Sequence, residues 1–302
     1  VESLREIIKE VIKYHVKEII LTGGEPLLHS DIRGVFTLIK KYPEINFGLV
    51  TNGILLNETI IKELEGNDNI YIQVSFDGSS KDIYEQIRGK YTFESFWKSF
   101  NLLAGSKIKD KRSRTAVSTV NYKDIENICK IAYENRIAPS FLATVKMGNA
   151  VSNWETLGLN EVQKMKVNNI IRNFNKEHNT GINILTPPAH CCFSSNEERK
   201  SFNINTIGDV SVCDFLYDIP IGNIFEEHFD CILRGKRLQR LHDIGIVRRR
   251  KLEEEKCKNC ELQLDCYFGC PAEARNAGDI YGCDMHCNYR RLYYSCIATD
   301  LV

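Results

Sequence analysis

Two groups of residues in this 302-residue sequence have types and spacings suited to chemistry. The first is Gly23-Gly24-Glu25, inside LTGGEPLL at residues 21–28, directly after the β-prone run EII. Paired glycines let a backbone approach a ligand that any Cβ would hold off, and the carboxylate beside them can accept from a cationic group. The second is CKNCELQLDCYFGC at 257–270, which spaces Cys257, Cys260, Cys266 and Cys270 as C-x2-C-x5-C-x3-C. Upstream, Cys192 is followed after fifteen residues by Gly208, and four more residues lead to Cys213; Cys283, Cys287 and Cys296 lie downstream. Eleven of the twelve cysteines fall between 191 and 296, and only Cys129 comes earlier. Thiolates grouped this closely suit soft metals, as zinc or as iron–sulfur clusters. Zinc ribbons favour two C-x2-C knuckles and this stretch has one, so clusters are the expected occupants.

The elements that must carry these groups alternate regularly in the first half. Apolar positions at helical spacing run through 3–15, 31–41, 57–65, 93–105 and 123–135, and short apolar runs at 18–22, 46–51, 70–76, 114–120 and 139–145 read as strands. Five strands in βα alternation imply an α/β fold with a parallel sheet under covering helices. In such sheets ligand groups gather past the C-terminal strand ends. Thr22–Glu25, Thr51-Asn52-Gly53, Ser75–Gly78 and Asn121 all fall there. A further amphipathic helix is expected over 160–178, and the boundary of a second domain near 180–190, giving 1–185 and 186–302. Residues 201–213 alternate around Ile207-Gly208-Asp209 as a hairpin, and beyond it short elements are expected between the cysteines.

Composition excludes several function classes. Forty basic and 40 acidic side chains cancel, so no global field favours nucleic acid or anionic lipid. Arg248-Arg249-Arg250-Lys251, followed at once by Glu253-Glu254-Glu255, reads as a solvated helix face. No run approaches the ~18 apolar residues of a membrane helix. The opening VESLREIIKE carries charges where a secretory signal needs an apolar core. A cytoplasmic protein is expected, with eleven clustered cysteines pointing to ligation rather than disulfides.

LTGGEP, VTNG (50–53) and VSFDGSSKDIYEQIRGK (74–90), followed by this cysteine pattern, resemble the radical S-adenosylmethionine enzymes that carry a SPASM domain. The resemblance implies a partial (β/α)6 barrel, here lacking its first strand, followed by a small cysteine-rich α+β domain. It implies that Gly23, Gly24 and Glu25 meet the methionyl end of S-adenosylmethionine, with Glu25 accepting from its ammonium. It places Ser75 at the ribose, Asn52 on the same rim, and Arg88 near the cofactor carboxylate. Two auxiliary [4Fe–4S] clusters are implied, the first held by Cys192, Cys213 and Cys270, with adjacent Cys191 substituting or assisting. The second falls to Cys257, Cys260, Cys266 and Cys287, which leaves Cys283, Cys296 and Cys129 as spare thiols.

The family's radical cluster is bound by a C-x3-C-x2-C loop ahead of GGEP, and the 22 residues before Gly23 contain no cysteine. An N-terminally incomplete version of a longer enzyme is therefore expected, with the ligands of that third cluster outside this sequence. For the intact protein the resemblance implies a 5′-deoxyadenosyl radical that abstracts hydrogen from a peptide, fed by an electron donor such as flavodoxin or ferredoxin. LTGGEP, VTNG and YEQIRGKYTF are similar to peptide maturases, which form thioether or carbon–carbon crosslinks. Cys213-Asp214-Phe215 is similar to the branch that makes formylglycine in sulfatases, where Asp214 would be a general base. A non-catalytic cluster- or zinc-binding module is the remaining alternative.

Overall fold

The computed structural model describes residues 1–187, 201–266 and 268–299. The chain forms two compact units, one of Val1–Thr144 with Thr156–Leu185, the other of Val145–Glu155 with Thr186–Val302.

In the first unit, α1 (Glu2–Val11) leads to β1 (Glu18–Leu21), α2 (Ile32–Ile39) to β2 (Asn46–Thr51), and α3 (Glu58–Glu65) to β3 (Ile70–Ser75). Then come α4 (Lys81–Arg88), α5 (Phe93–Gly105), β4 (Lys111–Val117), α6 (Ile125–Glu134) and β5 (Ala138–Ala143). The short α7 (Asn149–Ser152) and α8 (Trp154–Leu157) precede the long α9 (Glu161–His178). The five strands form one wholly parallel sheet in chain order. Alternate strand residues on one face, among them Phe47, Leu49, Ile72, Val74 and Val117, are buried against Ile8, Phe36, Ile39 and Leu64 from the helices. This is the α/β sheet expected from the alternation, and its parallel register brings the C-terminal strand ends to one rim.

Side chains set the ends of these elements. Asn57 Oδ1 accepts from Ile60 N at 3.1 Å to open α3, and Asn160 and Gln163 form a reciprocal capping box on α9. Helix α4 is absent from the expected elements because KDIYEQIR is short and half charged. It forms because Tyr84, wholly buried, stacks on Phe96 at 4.6 Å between ring centroids. Strand β4 also sits three residues earlier than the β-prone run 114–120 suggested. Asn121 captures that run instead. Its Oδ1 accepts from Ser118 N at 2.8 Å, and its Nδ2 donates to Ala116 O at 3.0 Å and Asp77 O at 2.9 Å.

The second unit begins, among its described residues, with an antiparallel sheet of β6 (Asn203–Ile204), β7 (Asp209–Ser211) and β8 (Gly222–Asn223). Asn205 Oδ1 closes the expected hairpin by accepting from Ile207 N and Asp209 N at 3.0 and 2.9 Å. Helices α10 (Phe229–Leu233), α11 (Lys236–Glu254), α12 (Gln263–Cys266), α13 (Pro271–Asn276) and α14 (Cys287–Thr299) follow. The 19-residue α11 overturns the expectation of short elements only. It also corrects the solvated-face reading of the basic run, because Arg248 is buried, at 3% exposure. Its guanidinium donates to Phe268 O at 2.7 Å and Gly282 O at 3.0 Å, pinning two turns of the cysteine region to the helix. Among the described residues no helix is long and apolar enough to cross a membrane.

Candidate cofactor rim and cysteine centre

At the rim of the first unit the chain leaves β1 through Thr22 and enters Gly23 at φ +135°, a backbone region that L side chains rarely adopt. A Cβ built on Gly23 or Gly24 would meet nothing within 4 Å, so the pair leaves open space beside exposed backbone. Glu25 closes this turn. Its Oε1 accepts from Thr51 Oγ1 at 2.6 Å and from Leu27 N at 3.1 Å, and its Oε2 accepts from Asn52 N at 2.8 Å. The carboxylate thereby ties β1 to the end of β2 and caps the turn at Pro26. These bonds fill three of the roughly four acceptor positions of a carboxylate.

Asn52 spends its side chain locally, Oδ1 accepting from Ile54 N at 2.9 Å, and reaches the rim through its backbone. Ser75 ends β3 half-buried, and among the described residues its hydroxyl has no protein partner. Arg88, expected near the cofactor carboxylate, directs Nε onto Asp77, which is wholly buried. Asp77 Oδ1 accepts from Ala116 N at 2.7 Å, so this carboxylate locks the β3 end to β4. Burial pushes the Asp77 carboxyl up, against the pull of Arg88 and of the Ala116 N–H. The open backbone at Gly23-Gly24, the unpartnered Ser75 hydroxyl and the Glu25 carboxylate fit a small zwitterionic ligand.

In the second unit, Cys257, Cys260, Cys266, Cys283 and Cys287 line a single cavity together with Gln263, Phe268, Asp284 and Arg290. The C-x2-C turn is closed by Cys260 N on Cys257 O at 3.0 Å. The Cys257 thiol is pushed up to about 12 by burial and then by the neighbouring Cys283 thiol, with which it shares a hydrogen bond. Burial likewise raises Cys266, which Arg290 pulls back. Among the described residues no three histidine, cysteine, aspartate or glutamate side chains converge closely enough to hold a single metal ion. A tetrahedral zinc needs that convergence, with Zn–S of about 2.3 Å. The donor set is all sulfur, the chemistry of a cluster site.

A buried ion pair holds this cavity in place. Asp284 Oδ1 accepts from Arg290 Nη1 at 2.6 Å and from His286 N at 3.0 Å, while Oδ2 pairs with Arg290 Nη2 and accepts from Cys270 N at 2.7 Å. Burial works to raise the Asp284 carboxyl, but the Arg290 fork and these N–H groups hold it below the usual carboxylate range. Gly269, at φ +76°, admits this pair: a Cβ there would lie 2.4 Å from Asp284 Oδ2.

Cys270, at the start of α13, is raised to about 12, chiefly by burial, with a smaller contribution from nearby Cys213. Cys213 Sγ accepts from Phe215 N at 3.4 Å and so caps the turn that Asp214 opens, and Asp214 is exposed. Cys191 and Cys192 lie outside the described residues. Cys129 is wholly buried in α6, within the core of the first unit. Sequence reasoning missed the Thr51 hydroxyl as partner of Glu25, the Asp284–Arg290 clamp, and the place of Cys283 in the cavity. Only the first had a usable signal, the threonine inside the quoted VTNG.

The profile of the radical SAM superfamily matches residues 1–132, and that of the SPASM iron–sulfur cluster-binding domain matches residues 191–261. The chain is a radical SAM protein with a SPASM domain. The cofactors of these domains are S-adenosylmethionine and [4Fe–4S] clusters. A GTP 3′,8-cyclase of Clostridium perfringens is 28% identical over 169 residues, 54% of this chain and 52% of that protein. The chain thus spans about half the length of the curated relatives it matches. Among solved structures, anSMEcpe with bound AdoMet and the Cp18Cys peptide aligns over 97% of this radical SAM chain and 87% of its own, with TM-score 0.69 and 18% identity. SuiB of Streptococcus suis bound to precursor peptide SuiA aligns over 95% of this chain and 68% of its own, with TM-score 0.71 and 16% identity. At these identities both likenesses concern the fold.

Proposed function

We propose that this chain is the radical SAM and SPASM portion of a maturase that modifies a ribosomally made peptide by hydrogen abstraction, joining two of its positions by a thioether or carbon–carbon bond. The supporting observation is extent. Two solved proteins that hold peptides in their structures match this chain over 95–97% of its length, whereas the nucleotide cyclase match covers 54% of it. S-adenosylmethionine supplies hydrogen-abstracting power when it is reductively cleaved at a cluster, and the protein's part is to bind, orient and shield. Gly23 and Gly24 admit the methionyl end, Glu25 accepts from its ammonium, Ser75 meets the ribose, and Asn52 and Arg88 complete the rim. Cys257, Cys260, Cys266 and Cys287 hold one auxiliary cluster; Cys192, Cys213 and Cys270, with Cys191, hold the other. A flavodoxin or ferredoxin in a reducing cytoplasm supplies electrons.

The reading is tested by mass spectrometry on the full-length, anaerobically loaded protein with small peptides encoded beside its gene. A peptide that loses two hydrogen atoms and gains a sequence-blocking crosslink is expected. Consumption of GTP instead of peptide would assign it to nucleotide chemistry. Formylglycine on a sulfatase-derived peptide would favour the second reading, for which exposed Asp214 beside Cys213 is the candidate base.

Glu25→Ala is expected to weaken S-adenosylmethionine binding by about ten- to a hundredfold, the worth of one hydrogen bond to a charged group. Thr51→Val, which removes the 2.6 Å tie and keeps the carboxylate, is the control. Calorimetric titration separates the two roles. Equal losses in both variants would mean that Glu25 acts through rim geometry and not on the ligand.

A further inference from the structure

Cys283 lies outside the ligand set proposed above, yet it lines the same cavity as the four thiols that set names. A [4Fe–4S] cluster takes four cysteine ligands, so one of the five is in surplus. The C-x2-C turn and Cys266 approach from the end of α11 and from α12, and Cys283 and Cys287 approach together from the turn that opens α14. That turn is held by Asp284, which takes N–H groups of Cys270 and His286 and the fork of Arg290. One buried clamp therefore fixes both candidate fourth ligands, one on each side of Asp284. Cys283 is also the thiol that neighbours Cys257 directly.

We infer that Cys283 and Cys287 are interchangeable fourth ligands to the cluster of Cys257, Cys260 and Cys266, so that this site keeps its cluster when either one is lost. The thiol released at any moment is available beside a bound cluster, a place where a ligand sulfur can exchange without the site opening.

This inference rests on the cluster-bearing reading of the second unit, and the test keeps the two separate. Full-length protein and its Cys283→Ala, Cys287→Ala and doubly substituted variants are loaded anaerobically, and iron and sulfide per chain are measured. Low-temperature EPR of the reduced proteins and alkylation mapping by mass spectrometry complete the set. Both single variants are expected to retain the parent's iron, with changed EPR line shapes. The double variant is expected to lose the iron of one cluster. Alkylation should label one of the two thiols in the parent and neither remaining thiol in the single variants. Loss of one cluster from either single variant alone overturns the inference, because it makes that cysteine the sole fourth ligand. An iron-free parent overturns the cluster reading itself. Circular dichroism of each variant, with Cys→Ser substitutions as a second series, separates ligand loss from misfolding.

Discussion

Arg290→Met is expected to destabilise the cysteine-rich unit by about 3–5 kcal/mol, because it leaves the Asp284 carboxylate buried without its cation. Both partners are inaccessible, with side-chain exposures of 3% for Arg290 and 0% for Asp284. Methionine approximates the volume of the arginine stem, so the loss measures charge and hydrogen bonding more than packing. Urea denaturation of the loaded protein, followed through the second unit, reads the effect, and a loss below about 1 kcal/mol would contradict it. The pH dependence carries a sign. The folded Asp284 carboxyl is held below its unfolded value of about 3.9, so its contribution is complete above that value and is lost as pH falls through the folded one. The deficit of Arg290→Met should therefore be full at neutral pH and should shrink in acid, where the orphaned carboxyl is neutral. Substituting Asp284 by asparagine in the same chain should recover part of the loss, since no buried charge then remains.

The parallel sheet was legible because its central strands, NFGLVT and IYIQVS, are buried on both faces and read as apolar runs bounded by turn residues. The site was legible in position and less so in role. Gly23 and Gly24 stand at a strand end with open space beside them, as residues chosen for backbone approach should. Glu25 also lies there, but its three internal hydrogen bonds depend on Thr51 and Asn52, 26 and 27 positions away, and no local pattern encodes that closure. Arg248 shows the same limit from the other side. In a run of four basic residues nothing local distinguishes the one that a fold turns inward, and its carbonyl partners at 268 and 282 come from the far side of the cysteine motif. Cysteine spacing marked the ligand-rich region correctly. It did not separate Cys283 from Cys287, because ligand choice depends on how a turn is held, and the clamp at Asp284 is a tertiary feature.

Arg88 offers the second large effect and a way to divide structure from ligand binding. Arg88→Met should cost about 3 kcal/mol of stability in the first unit, because Asp77 is wholly buried and retains only neutral donors once the guanidinium is gone. Burial already raises the Asp77 carboxyl, and losing Arg88 raises it further. The folded state then binds the proton more tightly than the unfolded chain, so the variant's stability falls as pH rises across that interval and is least impaired in acid. The same substitution should weaken S-adenosylmethionine binding whether Arg88 touches the ligand or merely fixes the β3 end that presents Ser75. Asp77→Asn combined with Arg88→Met decides between these. The asparagine can keep Ala116 N as a donor while removing the buried charge, so the double variant should regain most of the lost stability. If binding returns with it, Arg88 acts by holding the rim. If stability returns and binding does not, the guanidinium meets the cofactor carboxylate itself, through the donors that its Nε contact with Asp77 leaves over.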